Sequence, residues 1–206
     1  MTQRQDAVLA DTAASTGEQQ AHRLPGDLAM WCFILAELLA FLFLLGSMAF
    51  ARGHWSEMFS AGVATLHPEA GLVNTLILLT GSYFAARGVR RAATGNRQAL
   101  VTGFALAALC GLGYVGIKIS EYVLLFGDGY NLRTNTFYFF YFFTTFFHMA
   151  HVLIGMAILL VVAHRYRSGQ YANREKARMA GESAASYWHM VDLVWLVLFP
   201  LLYVLP

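Results

Sequence analysis

Long apolar stretches separated by short polar ones make up most of this 206-residue chain. Five of these stretches reach about 18 residues or more, the length at which an α-helix rising about 1.5 Å per residue crosses a hydrocarbon core of about 30 Å. The pattern therefore predicts an all-α fold, a polytopic membrane protein built as a bundle of five transmembrane helices. The predicted spans are 28–50, 72–89, 99–126, 137–163 and 187–205.

The first 27 residues are polar and carry both signs of charge, which predicts a flexible cytoplasmic arm ahead of a single transmembrane domain at 28–206. This segment lacks the basic start and the apolar core of about 7 to 15 residues that a cleavable signal has. Its acidic residues disfavour an organelle import signal, because transit peptides contain few acids.

Basic residues in the loops predict the orientation, because cytoplasmic loops keep an excess of Lys and Arg. Arg90, Arg91 and Arg97 follow the second span, and a second basic cluster at 165–178 follows the fourth. Both loops and the amino terminus are therefore expected in the cytoplasm, and the carboxyl terminus outside. These charges are explained by topology, so no basic surface remains that favours nucleic acid.

Seven ionisable side chains fall inside the predicted spans, apart from Arg87 at the edge of the loop that follows the second span. A charged group at the centre of a span costs about 2.5 to 3.5 kcal/mol on insertion scales, so each needs a partner or a function. Depth counted at about 1.5 Å per residue separates them into a mid-bilayer group, a pair at the outer end of span three and a pair near the inner face. The three groups are, in that order, Glu37, His148 and His151; Lys118 and Glu121; His189 and Asp192.

The mid-bilayer group has several interpretations. His148 and His151 are three residues apart on one helix, which suits two metal ligands or hydrogen-bond partners for Glu37. A bond from Glu37 to a histidine would fix two helices, whereas a free carboxyl would suit proton handling or a lipid headgroup. A membrane metalloenzyme is a remote alternative. A transporter with Glu37 as proton carrier is disfavoured by the odd number of spans and the lack of inverted repeats.

The other two pairs are either satisfied within the chain or used for contact. Lys118 and Glu121 have the spacing of an intrahelical ion pair. The pair on the last span is flanked by tryptophans, whose indole N–H groups suit a membrane interface. Candidates for lipid or subunit contact are therefore Lys118, Glu121, Trp188, His189, Asp192 and Trp195.

Several segments resemble subunit III of the haem-copper oxidases. YWHMVDLVWLVLF at 187–199 is similar to the family's last helix, in which a WHF-VD-VW pattern is typical, and FFTTFFHMAHVLIGM at 142–156 is similar to its histidine-rich helix. Met149 stands where the family usually has glycine. NTLILLTGSYFAARG at 74–88 and IKISEY at 117–122 are similar to two further family elements, and Glu37 lies where the family has its membrane-buried carboxylate.

A five-helix form of the family is indicated, because mitochondrial-type subunit III has two additional helices at its start. Quinol oxidase subunit III and the NorE-type accessory proteins of nitric oxide reductase lack those two helices. Among these forms, PGDLAMW at 25–31, TNTFYFFYF at 134–142 and the ending at 183–203 look most like the NorE type.

The resemblance implies a non-catalytic accessory subunit of a respiratory complex in the bacterial inner membrane. Such a subunit holds no haem, copper or flavin, and the haem and metal are expected in the partner. The partner would be the catalytic subunit of a nitric oxide reductase, in denitrification, or of an oxygen-reducing cytochrome c or quinol oxidase, in which case the chain is a true subunit III. Contact with membrane phospholipid, and support of assembly, stability or turnover, are implied as well.

Overall fold

Six α-helices make up most of the chain in a computed structural model, which describes residues 27–205. Five of the six, all except α2, are long and apolar enough to cross a membrane, and this confirms the predicted polytopic helical bundle. The arm predicted at 1–27 lies outside the described residues except for Asp27. The helices are α1 Leu28–His54, α2 Ser56–Val63, α3 Pro68–Ala93, α4 Arg97–Gly127, α5 Thr136–Arg167 and α6 Arg174–Tyr203.

Short polar side chains begin four of the long helices. The side chains of Asn96, Asn135 and Asn173 each accept a hydrogen bond from the backbone N–H of the third residue of α4, α5 and α6, at 2.8–3.1 Å. Asp27 caps α1 by accepting from the backbone N–H of Ala29, the second residue of the helix, and Pro68 occupies the first position of α3, where a missing N–H costs nothing. Because these caps lie in the polar connections, most of the helices extend beyond the apolar stretches that predicted them.

The start of α6 differs most from the prediction. The helix begins at Arg174 rather than near residue 187, because the segment before the apolar stretch is rich in good helix formers and is capped at Asn173. Its inward side is also packed, since Gly181, Ala184 and Ala185 are buried. This extension shifts the depth of every later residue of α6 relative to the start of the helix.

The connection between α1 and α3 is more than a turn. It contains the short helix α2, in which Phe59 is fully buried with its ring centre 5.5 Å from that of Phe137. Gly62 faces the same ring, so closely that an added Cβ would lie 2.1 Å from a ring carbon. The helix α2 is therefore packed onto the start of α5.

The long helices α3, α4, α5 and α6 form a closed four-helix arrangement in which each packs against two others, and α1 lies outside it against α5 and α6. The tightest approach joins α3 to α4. A Cβ added at Gly103 would lie 2.6 Å from the carbonyl oxygen of Phe84, and one at Gly88 would lie 3.1 Å from that of Ala99. Glycines at these positions let α3 and α4 approach closely, because side chains there would hold the backbones apart.

Candidate functional site

Glu37 on α1 reaches His151 on α5. The distance from His151 Nε2 to Glu37 Oε2 is 2.9 Å, and His151 Nδ1 lies 2.8 Å from the carbonyl oxygen of Phe147. A carbonyl only accepts, so Nδ1 carries a hydrogen. The bond to Glu37 then contains one proton, held either by Nε2 next to a carboxylate or by a neutral carboxyl that donates to Nε2.

Polar contacts at three levels hold α1 against the rest of the bundle. The Asp27 N–H donates to Ser183 Oγ at 3.1 Å, Glu37 meets His151 at the middle, and Arg52 donates to the carbonyl oxygen of Leu201 at 2.5 Å. Only 11% of the 18-residue apolar stretch of α1 is buried against the rest of the chain. Specific polar contacts therefore contribute to the position of α1, which has little packed surface.

His148 does not join Glu37. It points into the closed bundle, where Nδ1 lies 3.0 Å from the Tyr114 hydroxyl and Nε2 lies 3.0 Å from the carbonyl oxygen of Val191. The carbonyl requires a hydrogen on Nε2, so Nδ1 accepts from Tyr114 and a neutral imidazole is fully satisfied. The expected three-residue group is thus divided, because residues three apart on a helix differ by about 60° in direction. His151 faces α1, and His148 faces α4 and α6.

The depths predicted for the last span are wrong. His189 and Asp192 were expected near the inner face, well away from His148, yet Val191, which bonds His148, lies between them on α6. The physical reason is the longer helix, since about 22 Å of α6 precedes His189 when each residue rises about 1.5 Å. The two groups share a depth and are separated sideways across the bundle.

Lys118 and Glu121 form an ion pair inside the bundle. The distance from Lys118 Nζ to Glu121 Oε2 is 2.9 Å, and the two side chains are 0% and 3% exposed. The hydroxyl of Tyr203, the last residue of α6, donates to the Glu121 carboxylate at 2.8 Å and also contacts Lys118. Lys118 lies 3.3 Å from the hydroxyl of Tyr141 on α5. The cluster therefore links α4, α5 and α6.

Aromatic rings enclose the ammonium of this pair. Lys118 Nζ lies 4.9 to 5.9 Å from the ring centres of Tyr203, Tyr141, Trp195 and Tyr122. Ring faces attract a desolvated cation, so the enclosure stabilises a charged lysine that no water reaches within the chain. Lys118 and Glu121 are therefore internal, and the structure does not place them at a surface where lipid or another subunit would be touched.

The third polar group joins α3 to α6. Ser82 donates to Asp192 Oδ2, and Ser82 Oγ lies 2.9 Å from His189 Nδ1. Asp192 is 5% exposed, and its other oxygen, Oδ1, has no hydrogen-bond partner among residues 27–205. His189 is exposed on the outside of the bundle. Of the predicted contact residues it is thus the one whose side chain reaches the surface.

Both tryptophans proposed for the interface lie inside instead. Trp195 is 1% exposed and donates its indole N–H to Thr75 Oγ1 at 3.0 Å. Trp188 is fully buried beside Gly81 and Gly155, where an added Cβ would lie 3.5 and 3.1 Å from its ring. These glycines leave room for the large ring, which explains why it packs within the bundle rather than at its edge.

Sequence reasoning missed the hydroxyl partners. Thr75, Ser82, Tyr114, Tyr141 and Tyr203 each bond one of the charged or aromatic groups above. A hydroxyl inside an apolar helix is inexpensive because it can bond its own backbone, as Thr75 does to the Gly71 carbonyl at 2.9 Å. Only one sequence signal marked any of them: Thr75 and Ser82 are two helical turns apart and so face the same neighbour.

The fold and the site define a multi-pass membrane protein whose helices are joined by buried polar contacts. In the part of the chain that the structure covers, 27–205, no three His, Cys, Asp or Glu side chains are placed to hold a metal ion. Glu37, His148 and His151 do not converge as a ligand set.

The chain belongs to the cytochrome c oxidase subunit III family, whose model matches residues 11–205. It is 31% identical over 178 residues to the cytochrome c oxidase subunit 3 of Thermostichus vulcanus, and the matched region covers 86% of each of the two chains. It is 30% identical to that of Synechocystis sp., over 92% of this chain and 81% of the relative. For that of Corynebacterium diphtheriae the identity is 31%, over 82% and 79% of the two chains.

Proposed function

We propose that this chain is a non-catalytic accessory subunit that stabilises the catalytic subunit of a haem-copper oxidase superfamily complex and supports its turnover. Membership of the subunit III family carries the proposal. The haem and metal reside in the partner, and this chain contributes a rigid bundle at its side.

The hydrogen bonds and the ion pair inside the bundle favour an accessory role. Two of the buried ionisable side chains of the closed four-helix arrangement are occupied with other groups of the bundle: Lys118 with Glu121, and His148 with Tyr114 and Val191. Groups that are bonded in this way fix helices, and they are not available to bind a substrate or a redox centre. Glu37 is also bonded, to His151, but its side chain is 21% exposed and so reaches the surface of the bundle at α1.

Large apolar side chains cover the outside of the bundle and support contact with phospholipid and with a neighbouring membrane subunit. Leu39, Phe43 and Phe50 on α1 are 66% to 82% exposed, as expected for a helix with hydrocarbon or another apolar helix beside it. The arginines at the end of the bundle where α5 ends and α6 begins favour a cytoplasmic position for that end in a bacterial inner membrane. The amino terminus would then be cytoplasmic and the carboxyl terminus outside.

Two partners are candidates. The segments at 25–31, 134–142 and 183–203 favour a nitric oxide reductase, with the chain as its NorE-type accessory. The names of the relatives instead favour an oxygen-reducing cytochrome c oxidase, with the chain as its subunit III.

Purification from native membranes in a gentle detergent tests the accessory role. A tagged chain is expected to retain a haem-containing catalytic subunit in constant ratio. If repeated preparations, including preparations cross-linked before solubilisation, contain no such subunit, the proposal is wrong.

A deletion strain distinguishes the two partners. Loss of the chain is expected to lower nitric oxide consumption and leave oxygen consumption unchanged if the partner is the reductase. The reverse result would assign the chain to an oxygen-reducing oxidase. Re-expression of the wild-type chain is the control for both.

A further inference from the structure

On the surface where α3 meets α6, a polar side chain has exposed leucines beside it. His189 is exposed there, and Leu196 follows it two turns later on the same side of α6. Leu79 lies one turn before Ser82 on α3, and Leu72 lies two turns before Leu79. These residues, together with Leu193, are here named the His189 face.

The bonds behind this face decide what His189 offers to a neighbour. With the Asp192 carboxyl ionised, the single hydroxyl hydrogen of Ser82 is donated to it, so Ser82 Oγ can only accept from His189. Nδ1 of His189 therefore carries the ring hydrogen. In the neutral imidazole the other nitrogen, Nε2, then has a free lone pair and acts only as an acceptor.

Nε2 has no hydrogen-bond partner in the part of the chain that is described. His189 lies close to the middle of α6 and two residues before Val191, which bonds inside the bundle, so it is at hydrocarbon depth rather than in the headgroup region. Hydrocarbon offers no donor, and a polar atom facing it loses its hydration without compensation. A donor from another membrane helix would compensate for that loss.

We propose that the His189 face is the docking surface for a transmembrane helix of the catalytic subunit, which donates a hydrogen bond to His189 Nε2 and packs apolar side chains on either side. This inference rests on the accessory function proposed above. The Ser82 and Asp192 side chains act as positioning residues, because they hold the imidazole in the tautomer that accepts. The donor is a hydroxyl, amide, indole or cationic side chain.

Two substitutions at His189 distinguish the bond between Ser82 and Nδ1 from the proposed bond between the partner and Nε2. Asparagine places its amide near the position of Nδ1, so His189→Asn keeps a partner for Ser82 and loses the reach of Nε2. Glutamine extends to the position of Nε2, so His189→Gln keeps an acceptor for the partner. Leu109→Ala removes an exposed side chain from α4, away from this face, and is the matched control.

The readout is the catalytic subunit retained per tagged chain as detergent is increased. Interhelical hydrogen bonds in membranes correspond to association that is about three-fold to about twenty-fold stronger, so His189→Asn is expected to weaken retention by that factor. His189→Gln and Leu109→Ala are expected to stay near the wild type. Thermal unfolding of each purified chain, unchanged for His189→Asn, verifies that the variant is folded.

A photo-cross-linking residue at position 193 identifies the neighbour directly, and an adduct with the catalytic subunit is expected. Retention by His189→Asn equal to that of the wild type would overturn the docking surface and leave the accessory function standing. An adduct only with lipid or with a second copy of this chain would overturn it as well. Absence of a catalytic subunit from wild-type preparations would instead refute the accessory function, and the docking surface with it.

Discussion

Replacing Lys118 with methionine removes one half of an ion pair that the bundle encloses completely. The two side chains are 0% and 3% exposed, so the remaining Glu121 carboxylate would have no water to replace the lost ammonium. The Tyr203 hydroxyl would still donate to it at 2.8 Å. One neutral donor does not compensate for a missing opposite charge at this burial.

The expected loss follows from measurements on buried pairs. Removing one partner of such a pair lowers the free energy of unfolding by about 3 to 5 kcal/mol. For a domain of this size each kcal/mol lowers the midpoint temperature by about 2 to 4 °C, which gives a decrease of about 6 to 20 °C. Lys118→Met combined with Glu121→Leu removes both charges and is expected to recover most of that loss, since apolar replacements of similar volume are often neutral.

Thermal unfolding followed by tryptophan fluorescence suits this test, because the Trp195 ring centre lies 5.2 Å from Lys118 Nζ. Arg133→Gln, at an exposed position in the loop before α5, is the matched loss of one positive charge and is expected to change little. The reasoning is refuted if the single variant is as stable as the wild type, or if the double variant is no more stable than Lys118→Met.

Three further substitutions test the packing and the buried hydrogen bonds, each by the same unfolding measurement. Gly103→Ala is expected to cost about 1 to 3 kcal/mol, because its Cβ would lie 2.6 Å from the Phe84 carbonyl oxygen. Gly116→Ala is the control, and with no atom within 4 Å of the added Cβ it should be neutral or slightly stabilising. Equal effects of the two substitutions would contradict the close approach of α3 and α4. Tyr203→Phe should cost about 1.5 to 3 kcal/mol, because the buried Glu121 carboxylate loses a hydrogen-bond donor. A change below about 0.5 kcal/mol would mean that the bond from Tyr203 to Glu121 does not contribute to stability. His148→Phe should cost about 2 to 6 kcal/mol, since a buried hydroxyl and a buried carbonyl each lose a partner worth about 1 to 3 kcal/mol. Full stability of the variant would refute that satisfied geometry.

The membrane helices were predictable because their cause is local. A helix that crosses hydrocarbon must satisfy its backbone within itself and must be apolar for about 18 residues or more, and both conditions can be checked along a single chain. The same holds for the spacing of Lys118 and Glu121, which lie on one helix and meet without help from another. Small residues at four-residue steps on α4, at Gly103, Ala107 and Gly111, likewise indicate close packing from the sequence without identifying the helix that packs there.

Packing contributed to the start of α6, beside its helix formers and the Asn173 cap, and decided the position of α2. Both segments are outside the apolar stretches, so hydrophobicity gave no boundary for them. The inward side of α6 near Gly181 and the ring of Phe59 on α2 are covered by neighbouring helices. An error of this kind propagates, because the assumed start of a helix fixes the depth assigned to everything after it.

By itself the sequence determined that this is a bundle of membrane helices in which a few ionisable side chains need partners, because length, apolarity and charge are properties of each segment alone. Only the tertiary structure decided which partners they have. His148 and His151, three residues apart, point to different helices, and His189 faces outward while Asp192, one turn later, is buried. The reason is rotational, since a helix turns about 100° per residue and the positions of its neighbours determine which directions are inside.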